Sequence, residues 1–393
     1  MNWIPPKKKT KDEVTSSETR MVLLKNNPGN PFWEWFKCQI KKLPFFLTAD
    51  LYRRRIQESR LMDFLIAPVA KKLEDWPSTL VLDITNRCNA KCLWCPQPEL
   101  EELGAMKMEL FRKIIDDYSQ RGGIVRFGTF GEPLMDKKFT DKVRYLKQYQ
   151  SIYKIELVTN GYFLNEKITP VLLENGVDVE ISLDELVKET FEHVKKMSYD
   201  VVRKNVLQFL EANDRMSKPV KVNFRVKSSM NRAETLDHEF FHELSRHKCT
   251  MELTPMDEDS LANWAGRFDK EAFYKSHLGE TTSVENRSYK QYNKSNPSPC
   301  NQLWKWLVVY WDGKVVMCCV DMFATTPLGN LNENTVAEVW NGKTLHNFRK
   351  QMIRRKRFDI PLCQDCDLHL GWNYLKTYYG PDGKLARNLN FIS

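Results

Sequence analysis

From about Pro77 the chain alternates between short β-type runs and amphipathic helical runs, and this alternation restricts the fold more than any other feature. STLVLDITNRC is an apolar run ending in a cysteine, and MELFRKIIDDYSQ after it spaces its apolar residues at helical intervals. GIVRFGTFGEP, KIELVTNG, VDVEISLDE and VKVNFRVKS read as further strands, with FTDKVRYLKQYQ, ITPVLLENG and VVRKNVLQFLEAND as helices between them. A strand that returns to its own sheet through a helix makes a right-handed crossover, so this order predicts an α/β fold with a parallel sheet. In such sheets ligand chemistry gathers at the carboxyl ends of the strands.

The first of those ends carries Cys88, Cys92 and Cys95 in DITNRCNAKCLWCPQP, spaced C-x3-C-x2-C with Trp94 before the third. A structural zinc site closes with four ligands, whereas an iron-sulfur cubane held by three thiolates keeps one iron open. Ten cysteines in 393 residues are too few for a disulfide scaffold, and their clustering favours metal binding in a reducing compartment. The start MNWIPPKKKTKDEV has no apolar leader core and no run of about 18 apolar residues occurs, which predicts a cytoplasmic protein. The net charge of +9 is spread out and no nucleic-acid motif accompanies it, so no nucleic-acid partner is expected.

With its aromatic in this place, the cysteine trio resembles the signature of the radical S-adenosylmethionine (radical SAM) superfamily. The resemblance implies a partial (β/α) TIM-like barrel and a [4Fe-4S] cluster whose open iron holds the amino and carboxylate groups of S-adenosylmethionine. One electron from that cluster would break the sulfonium bond to give a 5'-deoxyadenosyl radical, which abstracts hydrogen from unactivated carbon. GTFGEPL is similar to the family's GGE element, with Phe130 in place of the first glycine. By resemblance the cofactor would therefore be contacted by Trp94, Gly131, Glu132, Asn160 in LVTNGYFL, Ser182 and Asp184 in ISLDE, and Arg225 in VNFRV. In isolation G-E-P and N-G are common turns, and an arginine on an edge strand faces water.

A second set, Cys300, Cys318, Cys363 and Cys366, is spaced C-x17-C-x44-C-x2-C. Four thiolates close a site, either a structural zinc or a fully ligated cluster. The surrounding Asp312-Gly313 turn, LGNL, EVWNG and CQDC resemble the SPASM domain or its shortened Twitch form. No cysteine follows Cys366, which matches the Twitch form and implies one auxiliary [4Fe-4S] cluster suited to electron transfer. Cys319, beside Cys318, is then a spare thiol, either simply buried or a hydrogen-atom donor.

The expected division is an accessory extension at 1–76, a radical SAM core at 77–269, a Ser- and Asn-rich linker at 270–299 and an auxiliary-cluster domain at 300–393. The extension, with Trp33, Trp35, Phe36 and Phe45 among lysines and arginines, reads as helical and packed on the core, or as a weak membrane-surface contact. Asp257 and Glu258, in TPMDEDSLANWAGR, are expected as acids or bases at a substrate cavity, or as a solvated loop. The reaction implied by the resemblance is oxidation of a sugar, cyclitol or related metabolite. Radical epimerisation using Cys319, modification of a peptide, and a non-catalytic metal-binding module stay open. The expected partners are that small-molecule or peptide substrate and a one-electron reductant such as flavodoxin or ferredoxin.

Overall fold

The computed structural model describes residues 75–255, 263–269 and 300–366, with the backbone of 377–379. The N-terminal extension, the linker, Asp257 and Glu258 lie outside the described residues. Strands β1 (Thr79–Leu82), β2 (Gly123–Phe127), β3 (Ile152–Thr159), β4 (Val177–Asp184), β5 (Val222–Ser228) and β6 (Thr250–Pro255) are neighbours in chain order, all parallel. Their crossovers are α1 (Met108–Ser119), α2 (Phe139–Leu146), α3 (Ile168–Glu174), the pair α4 (Lys188–Lys195) and α5 (Tyr199–Asp214), and the pair α6 (Arg232–Asp237) and α7 (Glu239–Ser245). This is the expected partial (β/α) barrel. Helix α5 shows why such segments form: Ser198 caps its first turn, and Val202, Val206, Phe209 and Leu210 share the face it buries.

The period-two alternation of the strands separates two environments. Leu80, Leu82, Val125, Phe127, Ile155, Leu157, Val179, Ile181 and Phe224 face the helices and join Phe111, Ile115, Val143 and Val206 in one core. Fully burying each such side chain contributes about 1.5–3 kcal/mol. The intervening residues, Val81, Arg126, Glu156, Glu180, Ser182 and Arg225, occupy the opposite, inner face. There Arg126 donates to Glu156 Oε2 (2.9 Å) and Glu180 Oε2 (3.0 Å). Arg225 pairs with Glu180 Oε1 at 2.5 Å. The barrel interior is thus polar and charge-paired at mid-depth.

The C-terminal region extends the same sheet. Strand β7 (Trp306–Val309) lies parallel beside β1, and β8 (Lys314–Val316) and β9 (Pro327–Asn330) follow antiparallel. Strand β10 (Thr377–Tyr379) pairs antiparallel with β6, so both edges of the barrel sheet are covered by later chain. Helices α8 (Val336–Trp340), α9 (Lys343–Ile353) and α10 (Pro361–Gln364) complete this lobe. Thr335 and Glu338 form a capping box at α8, whose Val336 N–H also donates to Asp117 Oδ2 of α1 (2.6 Å).

Candidate functional site

The segment after β1 arches over the carboxyl ends of β1 to β4. Its framework is a set of hydrogen bonds made by side chains in the motif itself. Thr85 Oγ1 donates to the Gly104 carbonyl (2.6 Å), Asn86 Oδ1 accepts from the Gly104 N–H (2.8 Å), and Gln97 Nε2 donates to the Asn86 carbonyl (2.9 Å). The cysteine turn is held from the far side by the last residues of α4. Lys91 N–H donates to the Lys195 carbonyl and Leu93 N–H to the Val194 carbonyl, each at 3.0 Å, bracketing Cys92.

Cys88, Cys92 and Cys95 are half-buried free thiols. Burial pushes Cys88 up to about 12 and Cys95 up to about 11, with neighbouring thiols of the trio adding to each. Thiols so placed give up their protons to a metal rather than to water. Asn160 Nδ2 stands 4.0 Å from Cys88 Sγ and donates to Asn89 Oδ1 (2.9 Å).

Gly131 lies where β2 turns beneath this loop. Its φ is +71°, and a Cβ there would fall 2.6 Å from the Thr85 carbonyl oxygen, so only glycine fits. The adjacent Glu132 N–H donates to the Arg87 carbonyl (2.8 Å). Its carboxylate is spent inside the protein, accepting from Thr159 Oγ1 (2.8 Å), Leu134 N–H (3.1 Å) and Asn160 N–H (2.7 Å). Burial raises it to about 6 against those donors. A contact from this element to a ligand therefore falls to its backbone. Phe130, the departure from the GGE pattern, is buried edge-on against Tyr310 of the C-terminal lobe, 5.4 Å between centroids.

Two lysines not singled out in the sequence complete the site. Lys195 Nζ is buried and donates to Asp184 Oδ2 (2.6 Å) and the Ser182 carbonyl (2.7 Å), while Lys227 Nζ reaches Asp184 Oδ1 (2.8 Å). Burial favours the neutral acid, yet the two ammonium groups hold Asp184 well below the usual carboxylate range. Asp184 sits at φ +65° beside a register shift between β4 and β5, and Ser182 Oγ donates to it (3.2 Å). Lys227 also lies 5.5 Å from the ring centroid of Trp94, which is buried and accepts at its carbonyl from Trp264 Nε1 (2.7 Å).

Arg225 is one inward position lower on β5, in register with Ser182 and paired to Glu180. It sits on a central strand rather than an edge. One step of the strand's two-residue repeat, about 6.6 Å, makes Lys227 rather than Arg225 the cation beside the cysteine loop. Asp83, at the end of β1, accepts at Oδ1 from the Thr129 and Phe130 N–H groups (2.8 and 3.0 Å), and its Oδ2 is buried without a hydrogen bond. Desolvation raises it to about 7.

The second cysteine set converges as well. Cys300, Cys318, Cys363 and Cys366 line one cavity with Leu303, Met317, Val320, Met352, Leu362, Gln302 and Arg357. Cys319 is absent from that lining; it packs instead against the buried cluster of Val81, Phe130, Val308, Tyr310, Val316 and Met322, on which Trp264 and Cys95 also pack, while its thiol hydrogen-bonds that of Cys318. Among the described residues no three His, Cys, Asp or Glu side chains are gathered to hold a single metal ion.

Residues 82–224 match the radical SAM superfamily, and residues 300–367 match the iron-sulfur cluster-binding domain SPASM. The chain carries a radical SAM domain followed by a SPASM domain. A tungsten-containing aldehyde ferredoxin oxidoreductase cofactor-modifying protein of Pyrococcus furiosus is 26% identical over 333 residues, 76% of this chain and 89% of that protein. The GTP 3',8-cyclase of Synechocystis is 28% identical over 207 residues, 51% of this chain and 56% of the cyclase, so this chain spans little more than half of that relative. In fold this radical SAM protein is similar to Streptococcus suis SuiB bound to precursor peptide SuiA, with a TM-score of 0.52 at 15% identity, over 85% of this chain and 82% of SuiB.

Its cofactors are accordingly a [4Fe-4S] cluster, S-adenosylmethionine and an auxiliary iron-sulfur centre. The residues present fit them: three clustered thiols with a polar frame at the strand ends, and four thiols around a mostly apolar cavity. No helix among the described residues is long and apolar enough to cross a membrane.

Proposed function

We propose that this radical SAM protein oxidises a polar, hydroxyl-bearing metabolite such as a sugar or cyclitol. The observation that carries this reading is the closed second site. Cys300, Cys318, Cys363 and Cys366 line one cavity, and four thiolates leave a cluster no free position for a substrate. When bound, the first cluster with S-adenosylmethionine supplies one-electron hydrogen abstraction and the single auxiliary cluster an electron acceptor, so a CH–OH group becomes C=O by losing a hydrogen atom, an electron and a proton.

The chain's own residues do the rest. Cys88, Cys92 and Cys95 hold the first cluster, and Cys300, Cys318, Cys363 and Cys366 the second. Trp94, the Gly131–Glu132 backbone, Asn160, Ser182 and Asp184 frame S-adenosylmethionine, with Lys195 and Lys227 fixing Asp184 as an ionised acceptor. Arg126, Glu156, Glu180 and Arg225 give the inner face donors and acceptors for hydroxyl groups. Residues 77–269 and 300–393 act as the two functional units, and a flavodoxin or ferredoxin delivers the starting electron.

A second reading, epimerisation, is favoured by the position of Cys319 outside the auxiliary cavity and in the same cluster as Cys95 and Trp264. One experiment separates the two. The reduced, reconstituted protein is incubated with S-adenosylmethionine and polyols deuterated at the carbinol carbon. Oxidation predicts deuterium in 5'-deoxyadenosine together with a carbonyl product. Deuterium transfer without a carbonyl product rejects it, and loss of turnover in Cys319→Ala with intact S-adenosylmethionine cleavage would then establish epimerisation.

A further inference from the structure

Among the described residues, the lining of the auxiliary cavity includes one charged side chain besides its thiols. Arg357 lies in the short 3-10 turn Arg357–Asp359, is 3% exposed, and lines the cavity between α9 and the Cys363–Cys366 pair. Among the described residues the other lining side chains are apolar except for the thiols and the neutral Gln302. Burial opposes the guanidinium's charge, but the sulfur groups of Cys366, Cys300 and Cys363 hold it, Cys366 through a hydrogen bond.

The first site is built differently. There the buried cation, Lys195, is paired with Asp184 at 2.6 Å, and Lys227 shares the same carboxylate at 2.8 Å. At the second site a permanent cation faces the thiols directly within the cavity lining.

We infer that Arg357 is a positioning residue that sets the reduction potential of the auxiliary cluster, holding it high enough to take the electron left on the substrate. This rests on the reading that the four-cysteine cavity holds an electron-accepting cluster. One-electron reduction adds a negative charge to a group that is already anionic. A fixed cation donating to a ligand sulfur stabilises that reduced form more than the oxidised form, and does so strongly where water is excluded. Arginine suits the place because it cannot lose its charge by burial.

The test uses the full-length chain carrying Cys88→Ala, Cys92→Ala and Cys95→Ala, so that only the auxiliary cluster gives an EPR signal. Its midpoint potential is read by EPR-monitored redox titration with Arg357 intact, with Arg357→Gln and with Arg357→Lys. With iron content unchanged, Arg357→Gln is expected to shift the equilibrium at least tenfold toward the oxidised cluster, about 59 mV more negative. Arg357→Lys keeps the charge and is expected to stay within about threefold, roughly 28 mV, of the parent. An unchanged potential in Arg357→Gln overturns the inference while leaving an electron-accepting cluster in place. If Arg357→Gln fails to load iron, Arg357→Lys decides: a potential near the parent's supports the inference, and a tenfold shift despite the retained charge overturns it. Zinc in place of iron in the parent defeats the reading beneath.

Discussion

Lys195→Met removes one of two ammonium groups from a carboxylate with almost no access to water. The Lys195 and Asp184 side chains are 2% and 3% exposed and 2.6 Å apart. At an effective dielectric near 20, unit charges at that separation attract by about 6 kcal/mol. Desolvation offsets part of this, and breaking a buried pair from one side costs about 3–5 kcal/mol. Lys227, at 2.8 Å and 21% exposed, still serves the other carboxylate oxygen, so the expected loss is at the low end, about 3 kcal/mol. Anaerobic urea unfolding of the full chain, followed by tryptophan fluorescence, measures it. Lys195→Met with Asp184→Asn should recover about 2 kcal/mol or more of the single-variant losses. The pH dependence has a definite sign. Asp184 is held below its unfolded value of about 3.9, so its contribution is complete above that pH and is lost as pH falls toward the folded value. The gap between wild type and variant should be steady from about pH 6 to 8 and narrow below about pH 4. A loss under about 1 kcal/mol with no coupling to Asp184→Asn would refute the reasoning.

Gly131→Ala forces a left-handed residue, at about 1–2 kcal/mol, and drives a methyl into the Thr85 carbonyl, so a total loss of about 2–4 kcal/mol and a fall in iron loading are expected. Full iron content and an unchanged urea midpoint would show that the loop can lift off the end of β2. Asp83→Asn addresses a carboxyl raised to about 7 by burial. The folded state binds that proton more tightly than the unfolded chain, so the stability it carries at low pH is lost as pH rises toward about 7, with a slope approaching 1.36 kcal/mol per pH unit. Thermal midpoints between pH 5 and 8 should fall with pH in wild type and be flatter in Asp83→Asn, whose Oδ1 can still accept from Thr129 and Phe130; parallel curves contradict this.

Much of the barrel was legible because its strands alternate and its helices repeat locally. STLVL, GIVRF, KIELV, VDVEI and VKVNF each place apolar residues on the helix-facing side. Strand β6, in TMELTP, gave a weak signal because only Met251 and Leu253 face outward and Glu252 interrupts them. The pairing of β7 with β1 had no local signature, since parallel partners more than two hundred residues apart share no turn. Lys195, in KETFEHVKK, carries no motif that would single it out in the sequence; it is buried because the end of α4 abuts the cysteine loop, a tertiary event. Phe130 read as a defect in a glycine motif, and its side chain turns out to fill the contact with Tyr310. Cys318 and Cys319 are adjacent in sequence, and in the structure Cys318 lines the four-thiol cavity whereas Cys319 packs against the cluster around Phe130.

Iron, acid-labile sulfide and zinc counted per chain in the anaerobically reconstituted full-length protein test the two-cluster architecture most directly. Two [4Fe-4S] centres predict about eight iron and about eight sulfide without zinc. Replacing Cys88, Cys92 and Cys95 by alanine should leave about four iron and abolish S-adenosylmethionine cleavage, and replacing Cys300, Cys363 and Cys366 should also leave about four. A wild-type protein with about four iron and about one zinc would contradict an electron-accepting second site.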